Sequence, residues 1–598
     1  MVIFALLRGN VKMISHCKAR IFYYNSSMRT PTIALIVLAA SLTVCACSGS
    51  YGPGTYQGLP AVYIDPDAGG GGDGSYDSPY KYWADVPFKS GTAYLQKRGT
   101  IAREQVTLTA SGTADKPVIL SAYGSGASPI IQGTETITGW ASIGSNIYRK
   151  AMGTAQVGIV LQNGNPLTYL AWNTDAATTF AASQPGSFAF DPAAMNLYVR
   201  CSGIITDPAF YTMEASTRYF GIQGTGMNYV TIENFTVRWT SLHGMQFIDS
   251  SSVVVRNCAI TRCGGAWLGS FAAGNGVEFG NSAVNCTVKD CTITDIFDSG
   301  VTVQTYANNA AASNIVFQNN VIDKCGFAGI EIAVLPGFTN DVVSAVTVSG
   351  NFVTNAGRGW SGDRSGEGNG IKVISDATGT ISGVSIEGSS ISASKGRGIY
   401  LAGNVGIVTI SRTKVQANAG GGISLVDANP SSLKLYLASS LVYSNSGYGV
   451  SFNVPFGQGF QVYQNTFYNN GPISFAVFGH SGTADMRNNI FSSSTPTTHF
   501  YSVALTGPVI DHNDYHENGA NIIGYGATAY TTVANFRSAT LLEQHGIGSD
   551  PILTGPSSGD LTLQSISPCK LKGDNTVGVV SDYSGVAFGN PPSIGAFQ

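Results

Sequence analysis

The chain has 598 residues, with 32 basic and 35 acidic side chains and a formal net charge of −3. Charged residues make up only 11% of it, against about a quarter in ordinary soluble domains, and this near-neutral balance lacks the basic footprint of a nucleic-acid binder. Glycine is abundant, at 74 residues, but follows no three-residue period, which excludes a collagen-like chain.

The first informative stretch is "MRTPTIALIVLAASLTVCACSGS", beginning at Met28. One arginine precedes an apolar run from Ile33 to Val44. That run is shorter than the ~20 residues of a membrane-spanning helix and suits the core of a signal peptide. The segment "VCAC", Val44 to Cys47, resembles the lipobox of bacterial lipoproteins. The resemblance implies lipidation of Cys47 after cleavage behind Ala46. With Ser48 following, it implies export to a Gram-negative outer membrane and a membrane partner through the lipid. An ordinary signal peptide cut nearby is the alternative. Residues 1–46 therefore read as upstream sequence and signal peptide, with Met28 as the start, and residues 47–60 as a linker.

Residues 61–134 are expected to form the first coils of a repetitive β domain. The acidic, glycine-rich "DPDAGGGGDG" at Asp65–Gly74 lacks the spacing and closing glutamate of a calcium-binding EF-hand loop, so it reads as a surface loop. Residues 135–215 interrupt the repeat. There "QVGIVLQNGNPLTYLAW" and "GSFAFDPAAMNLYVRC" predict antiparallel hairpins turning at Asn163-Gly164 and Asp191-Pro192, hence a β-rich insertion.

From 216 to 491 the chain repeats itself. One half-unit alternates apolar residues and ends in an Asn-like position: "VTIENFTV" at Val230, "VVVRNCAI" at Val253, "IVFQNNVI" at Ile315 and "VTVSGNFV" at Val346. The other follows a glycine: "GVEFG" at Gly276, "GVTVQ" at Gly300, "GIEIA" at Gly329, "GIKVI" at Gly370, "GIYLA" at Gly398, "GISLV" at Gly422 and "GVSFN" at Gly449. Period-two alternation predicts strands with one buried face. The glycine suits a corner that needs unusual φ and ψ. The positions Asn234, Asn257, Asp290 and Asn319 fall in one column, where amides can form a ladder. From 492 to 598 the repeat degrades, as expected of final coils and a cap.

These repeats resemble the right-handed parallel β-helix proteins of the pectin lyase-like group, over roughly residues 60–598. The resemblance implies an all-β solenoid whose sites lie on an exposed sheet face, with chemistry on polysaccharides. Seven cysteines lie beyond Cys47: Cys201, Cys258, Cys263, Cys286, Cys291, Cys325 and Cys569. None has zinc-site spacing, and their odd number argues against a full disulfide framework. Most read as small buried hydrophobes, a Cys258–Cys291 bridge being the lesser reading.

Aligning the glycines places Gln246, Glu278, Thr302, Glu331, Lys372, Tyr400, Ser424 and Ser451 in one column, expected to face solvent. Intervals between the glycines, from Gly276 to Gly449, run 24, 29, 41, 28, 24 and 27. The longest holds "GWSGDRSGEGN", which is expected to overhang the column. Trp239, Trp267 and Trp360 occupy equivalent turns and are expected to stack against sugars.

Two reactions fit. β-Elimination on an acidic polysaccharide, the preferred one, takes Lys372 as base, with Arg358, Arg364 and Arg397 around it and Tyr400 beside it. Glu278, Asp298 and Glu331 would then hold a calcium ion. Hydrolysis instead pairs Glu278 with Glu331, two strands and about 9.6 Å apart, or Glu331 with Asp298. A non-catalytic glycan-binding or envelope lipoprotein is the rival. Finally, "DHNDYHEN" at Asp511–Asn518 carries two histidines at a spacing that suits a metal, although a late turn is the favoured reading.

Overall fold

In the computed structural model the described residues are 54–598, apart from 154, 270, 361–366, 377, 427–432, 454–458, 480–481, 504 and 520. Cys47 and the leader before it, and Arg364 in the long loop, lie outside these residues.

Each coil contributes one strand to each of three long sheets of 15, 13 and 14 strands. A representative coil runs Asn228–Glu233, Thr236–Arg238 and His243–Ile248. The next coil pairs with it in parallel, in register, on all three sheets. This is a parallel β-helix. Period two does its expected work: Val230 and Ile232, Val237, and Met245 and Phe247 point inward and are fully buried. Their counterparts in later coils extend one continuous core along the solenoid.

Two corners differ from the sequence-based expectation. The glycines that open the third-sheet strands do not serve a left-handed turn. A Cβ at Gly370 would stand 2.2 Å from Ile391 Cγ2 and 2.7 Å from the Gly398 carbonyl, and Gly276 and Gly398 are as crowded. Glycine is needed because the next coil packs directly on the backbone. Left-handed φ belongs instead to the Asn-like column, at 67° for Asn234, 52° for Asn257, 54° for Asp290 and 53° for Asn319.

The buried ladder lies one residue further on. Asn465 donates through Nδ2 to Asn489 Oδ1 at 2.9 Å, and Asn489 to Asn513 Oδ1 at 2.9 Å. Asn320 and Asn351 do the same at 3.0 Å in earlier coils. The side chain that follows the left-handed residue turns inward, and there an amide finds its copy one coil away. In the first coils this column holds Phe235, Cys258 and Cys291, all buried. All seven described cysteines are buried and free, without a Cys258–Cys291 bridge.

The insertion is a lobe of two sheets. One has five strands, with a hairpin joining Ser187–Asp191 to Asn196–Arg200, and the other has four, with Val160–Gln162 turning into Asn165–Pro166. Phe188, Phe190, Leu197, Val199, Val160 and Met213 give it a core of its own.

Candidate functional site

On the third sheet, register aligns Gln246, Glu278, Thr302, Glu331, Lys372, Tyr400, Ser424 and Ser451 strand by strand. The row points away from the core, but its centre does not face water: Glu278 is 2%, Glu331 6% and Lys372 5% exposed. The expected solvent-facing column is thus corrected to a covered one. A second polar row runs beside it, made by the residues just before several of the glycines. His243, Asn275, Ser299 and Asn369 are all buried beside it.

The two glutamates sit in opposite environments. Glu278 Oε1 accepts from Gln246 Nε2 and the Tyr306 hydroxyl, both at 2.9 Å. Its Oε2 accepts from Asn275 Nδ2 at 2.8 Å and Gln304 Nε2 at 2.6 Å. His243 accepts the Asn275 backbone N–H on Nδ1, which leaves Nε2 as the donor 3.5 Å from Glu278. Burial pushes this carboxyl up, but His243 and the ring of donors outweigh it and hold it below its ordinary value. Glu278 is an anion with every lone pair engaged.

Glu331 receives one side-chain hydrogen bond, from Ser299 Oγ at 2.9 Å. Burial, and then the nearby Asp298, push its carboxyl up to about 7, against the pull of Lys372 and Ser299. The ion pair of Lys372 is with Glu367, at 3.0 Å, and its ammonium lies 3.8 Å over the Phe327 ring. Lys372 therefore neighbours Glu331 in register but is held by Glu367. Two carboxyls two strands apart, about 9.6 Å by strand spacing, have their proton affinities driven in opposite directions, the arrangement that sorts acid from base.

The other candidate residues are distributed as follows. Asp298 is half-buried, directly before Ser299, and its carbonyl accepts the Phe327 N–H at 3.1 Å. The Arg397 guanidinium lies 5.0 Å over the Tyr400 ring, and both are half-buried next along the row from Lys372. Arg358 is exposed and donates from Nε to the Ala393 carbonyl at 3.2 Å.

The tryptophans do not line a shared edge. The Trp360 indole donates to the Asp295 carbonyl at 3.0 Å, with its ring 4.9 Å from Phe297 and 5.9 Å from Tyr169 of the lobe. Trp267, on the hairpin of Ala266–Leu268 and Phe271–Ala273, packs into the lobe core. Trp239 lies under the Arg238 guanidinium at 4.0 Å. Their apolar area is used to fasten the lobe and turns to the coils, not to form an open stacking platform.

Nor do Glu278, Asp298 and Glu331 converge as metal ligands. Among the described residues the group that does is Asp511, His512 and His545. Each Glu278 oxygen already accepts two hydrogen bonds, so Glu278 has no lone pair left to share with Asp298 and Glu331 as a calcium ligand. Sequence reasoning missed His243, Asn275, Ser299, Tyr306 and Glu367. The polar residue before each glycine, in "HGMQF", "NGVEF", "SGVTV" and "NGIKV", was the signal for four of the buried neighbours.

The model of the family described as "Right handed beta helix region" matches residues 192–314 and 275–494, together just over half of the chain. No curated protein matches it in sequence. Among solved structures, "The complex structure of XylC with xylose" is similar at 12% identity, covering 90% of this chain and 98% of its own, with a TM-score of 0.46. A "Glycoside hydrolase" has 10% identity, covers 62% and 95%, and scores 0.42. "Crystal structure of pectate lyase Pel9A" has 15% identity, covers 90% and 96%, and scores 0.39.

Proposed function

The chain belongs to the right-handed β-helix family, and we propose that it is an exported enzyme that cleaves an acidic polysaccharide, with Glu331 as the general acid. The observation that carries this reading is the Glu331 carboxyl, buried beside Asp298 and raised to about 7. Such a group holds a proton near neutral pH and can hand it to a leaving glycosidic oxygen. Water activation is assigned to Asp298, which is half-buried and near enough to Glu331 to raise its carboxyl. Glu278, with all its lone pairs taken, keeps His243 and Tyr306 in position. Lys372 and Arg397 supply positive charge along the row for the carboxylates of an acidic chain.

β-Elimination is the second reading, favoured by the position of Lys372 next to Glu331. In it Glu331 still protonates the leaving oxygen, while a base removes the proton beside a substrate carboxylate. A panel of uronate-containing and neutral polysaccharides tests both. New reducing ends without ultraviolet absorbance support hydrolysis. New reducing ends with the absorbance of a conjugated double bond support elimination. Binding without cleavage of any polymer would overturn the enzymatic reading in favour of a glycan-binding protein.

Export and lipid attachment at Cys47 belong to the same proposal, supported by the apolar run Ile33–Val44 and the "VCAC" segment. Mass spectrometry of the mature protein from a Gram-negative host tests them. A lipid-modified N-terminal Cys47 is the expected result, and an unmodified N-terminus beyond it would refute the anchor.

A further inference from the structure

Two histidines far apart in the sequence meet one carboxylate near the end of the solenoid. His545 Nδ1 lies 2.8 Å and His512 Nδ1 3.4 Å from the same oxygen, Asp511 Oδ2. The imidazoles stack with centroids 4.4 Å apart and planes 21° from parallel. The other carboxylate oxygen, Oδ1, is occupied by the backbone N–H groups of His512 at 2.9 Å and His545 at 2.7 Å. Asp511 is thereby oriented with Oδ2 toward the two rings. His512 Nδ1 is buried and makes no hydrogen bond.

The parts that carry these groups are built in. Asp511 ends the first-sheet strand Val509–Asp511, paired with Arg487 of the preceding coil. His545 comes from the loop after the helix Val533–Thr540. Arg537 of that helix ties the loop down, donating to the carbonyls of Glu543 and Gly546, each at 2.6 Å. Asn513 and Tyr515 hold the Glu543 side chain at 2.7 and 2.9 Å.

From this geometry we infer that Asp511, His512 and His545 bind a borderline transition-metal cation of the Zn2+ type, which fastens the capping loop to the last coils. A tetrahedral ion at about 2.0–2.2 Å from each ligand spaces ligand atoms about 3.3–3.6 Å apart. The 3.4 Å separation lies in this range and the 2.8 Å one just below it, all three ligand atoms lie within 4.8 Å of one another, and the exposed His545 ring turns out of its stack to meet the ion. Two imidazoles and one carboxylate match the ligand preference of such ions, and the backbone N–H groups on Oδ1 are the outer partners that orient a ligating carboxylate. Zinc would also satisfy the orphaned His512 nitrogen. The site is remote from the Glu331 row and independent of its chemistry.

The test is calorimetric titration of the chelator-treated full chain with Zn2+, repeated on His545→Ala and Asp511→Asn. The His545 side chain is 66% exposed, so its removal leaves the fold intact. Asp511→Asn keeps an oxygen for the two backbone donors. About one equivalent is expected to bind in or below the micromolar range, with affinity at least about tenfold lower in each variant. Thermal melting should show Zn2+ raising the midpoint of the parent and not of His545→Ala. Glu331→Gln should bind zinc like the parent. Parent affinity no better than millimolar, undiminished binding by His545→Ala, or binding lost only in Glu331→Gln would each overturn the inference.

Discussion

The same register row runs through both halves of the solenoid, and the halves use it differently. From Gln246 to Lys372 it carries Glu278, Glu331 and Lys372, all buried. From Ser424 onward it continues as Ser451, Ala476, Tyr501 and Gly524, with a plain Ser451–Ser424 hydroxyl contact at 3.0 Å. The later half puts its polar bonding inside instead, in the uninterrupted amide ladder from Ser440 through Asn465 and Asn489 to Asn513. One backbone thus supports titratable, unevenly satisfied groups where chemistry is proposed, and a run of neutral amides bonded coil to coil where stability is required.

The largest difference should appear in turnover. Glu331→Gln is expected to lower kcat by about 10³-fold or more, in the range of a lost general acid, while Ser424→Ala in the bland half stays within about twofold. Steady-state rates on the responsive polysaccharide decide this, and equal losses would erase the distinction between halves.

Stability against pH comes next. A carboxyl whose affinity for its proton rises on folding, here from an ordinary 4.5 to about 7, makes the folded state bind that proton more tightly. Its contribution is fully present below pH 4.5 and is lost as pH rises toward 7. The loss is roughly 3 kcal/mol over that window. Urea denaturation between those limits should show the decline in the parent and a flatter profile in Glu331→Gln. The activity profile should fall on its alkaline side near the same pH.

Asn489→Ala tests the other half. It strands the Asn465 backbone N–H and the Val462 carbonyl inside the coil, so a loss of about 2–3 kcal/mol is expected, without change in catalytic rate. The smallest effect belongs to Thr302→Val. The Thr302 hydroxyl is buried in the charged half with no hydrogen-bond partner. Replacing it by a methyl should be neutral or stabilise by up to about 1 kcal/mol.

Much of the architecture was legible because a solenoid repeats its own grammar. The alternation in "VTIENFTV" and the glycine before "GIKV" sufficed to place Glu331 and Lys372 side by side. Less legible was anything that depends on neighbouring atoms rather than on period. The expected Asn319 column carries one exposed contact, Asn319 Nδ2 to Asp290 Oδ1 at 3.3 Å, while the continuous buried ladder lies at Asn320, because only a structure shows which of two successive residues turns inward. Glu367 takes Lys372 away from Glu331 from five residues upstream. The burial of Glu331 reflects packing over the row, and no outward-facing strand position announces it. His545 joins Asp511 from a loop that "DHNDYHEN" gives no hint of.

The amide column also has a direction. Each asparagine donates toward the C-terminal coil and accepts from the N-terminal one, so the column behaves as a one-way queue that must end in a group able to accept without passing a hydrogen bond onward. Asn513 donates to Glu543, whose oxygens also accept the Asn513 backbone N–H and the Tyr515 hydroxyl. Beyond it the last third-sheet strand, Ile523–Tyr525, folds back antiparallel on Thr528–Tyr530. A solenoid that stopped one coil earlier would present an unfilled donor and a free strand edge, the template for another molecule to add itself. Glu543 is in this sense a terminator: it closes a pattern that could otherwise polymerise.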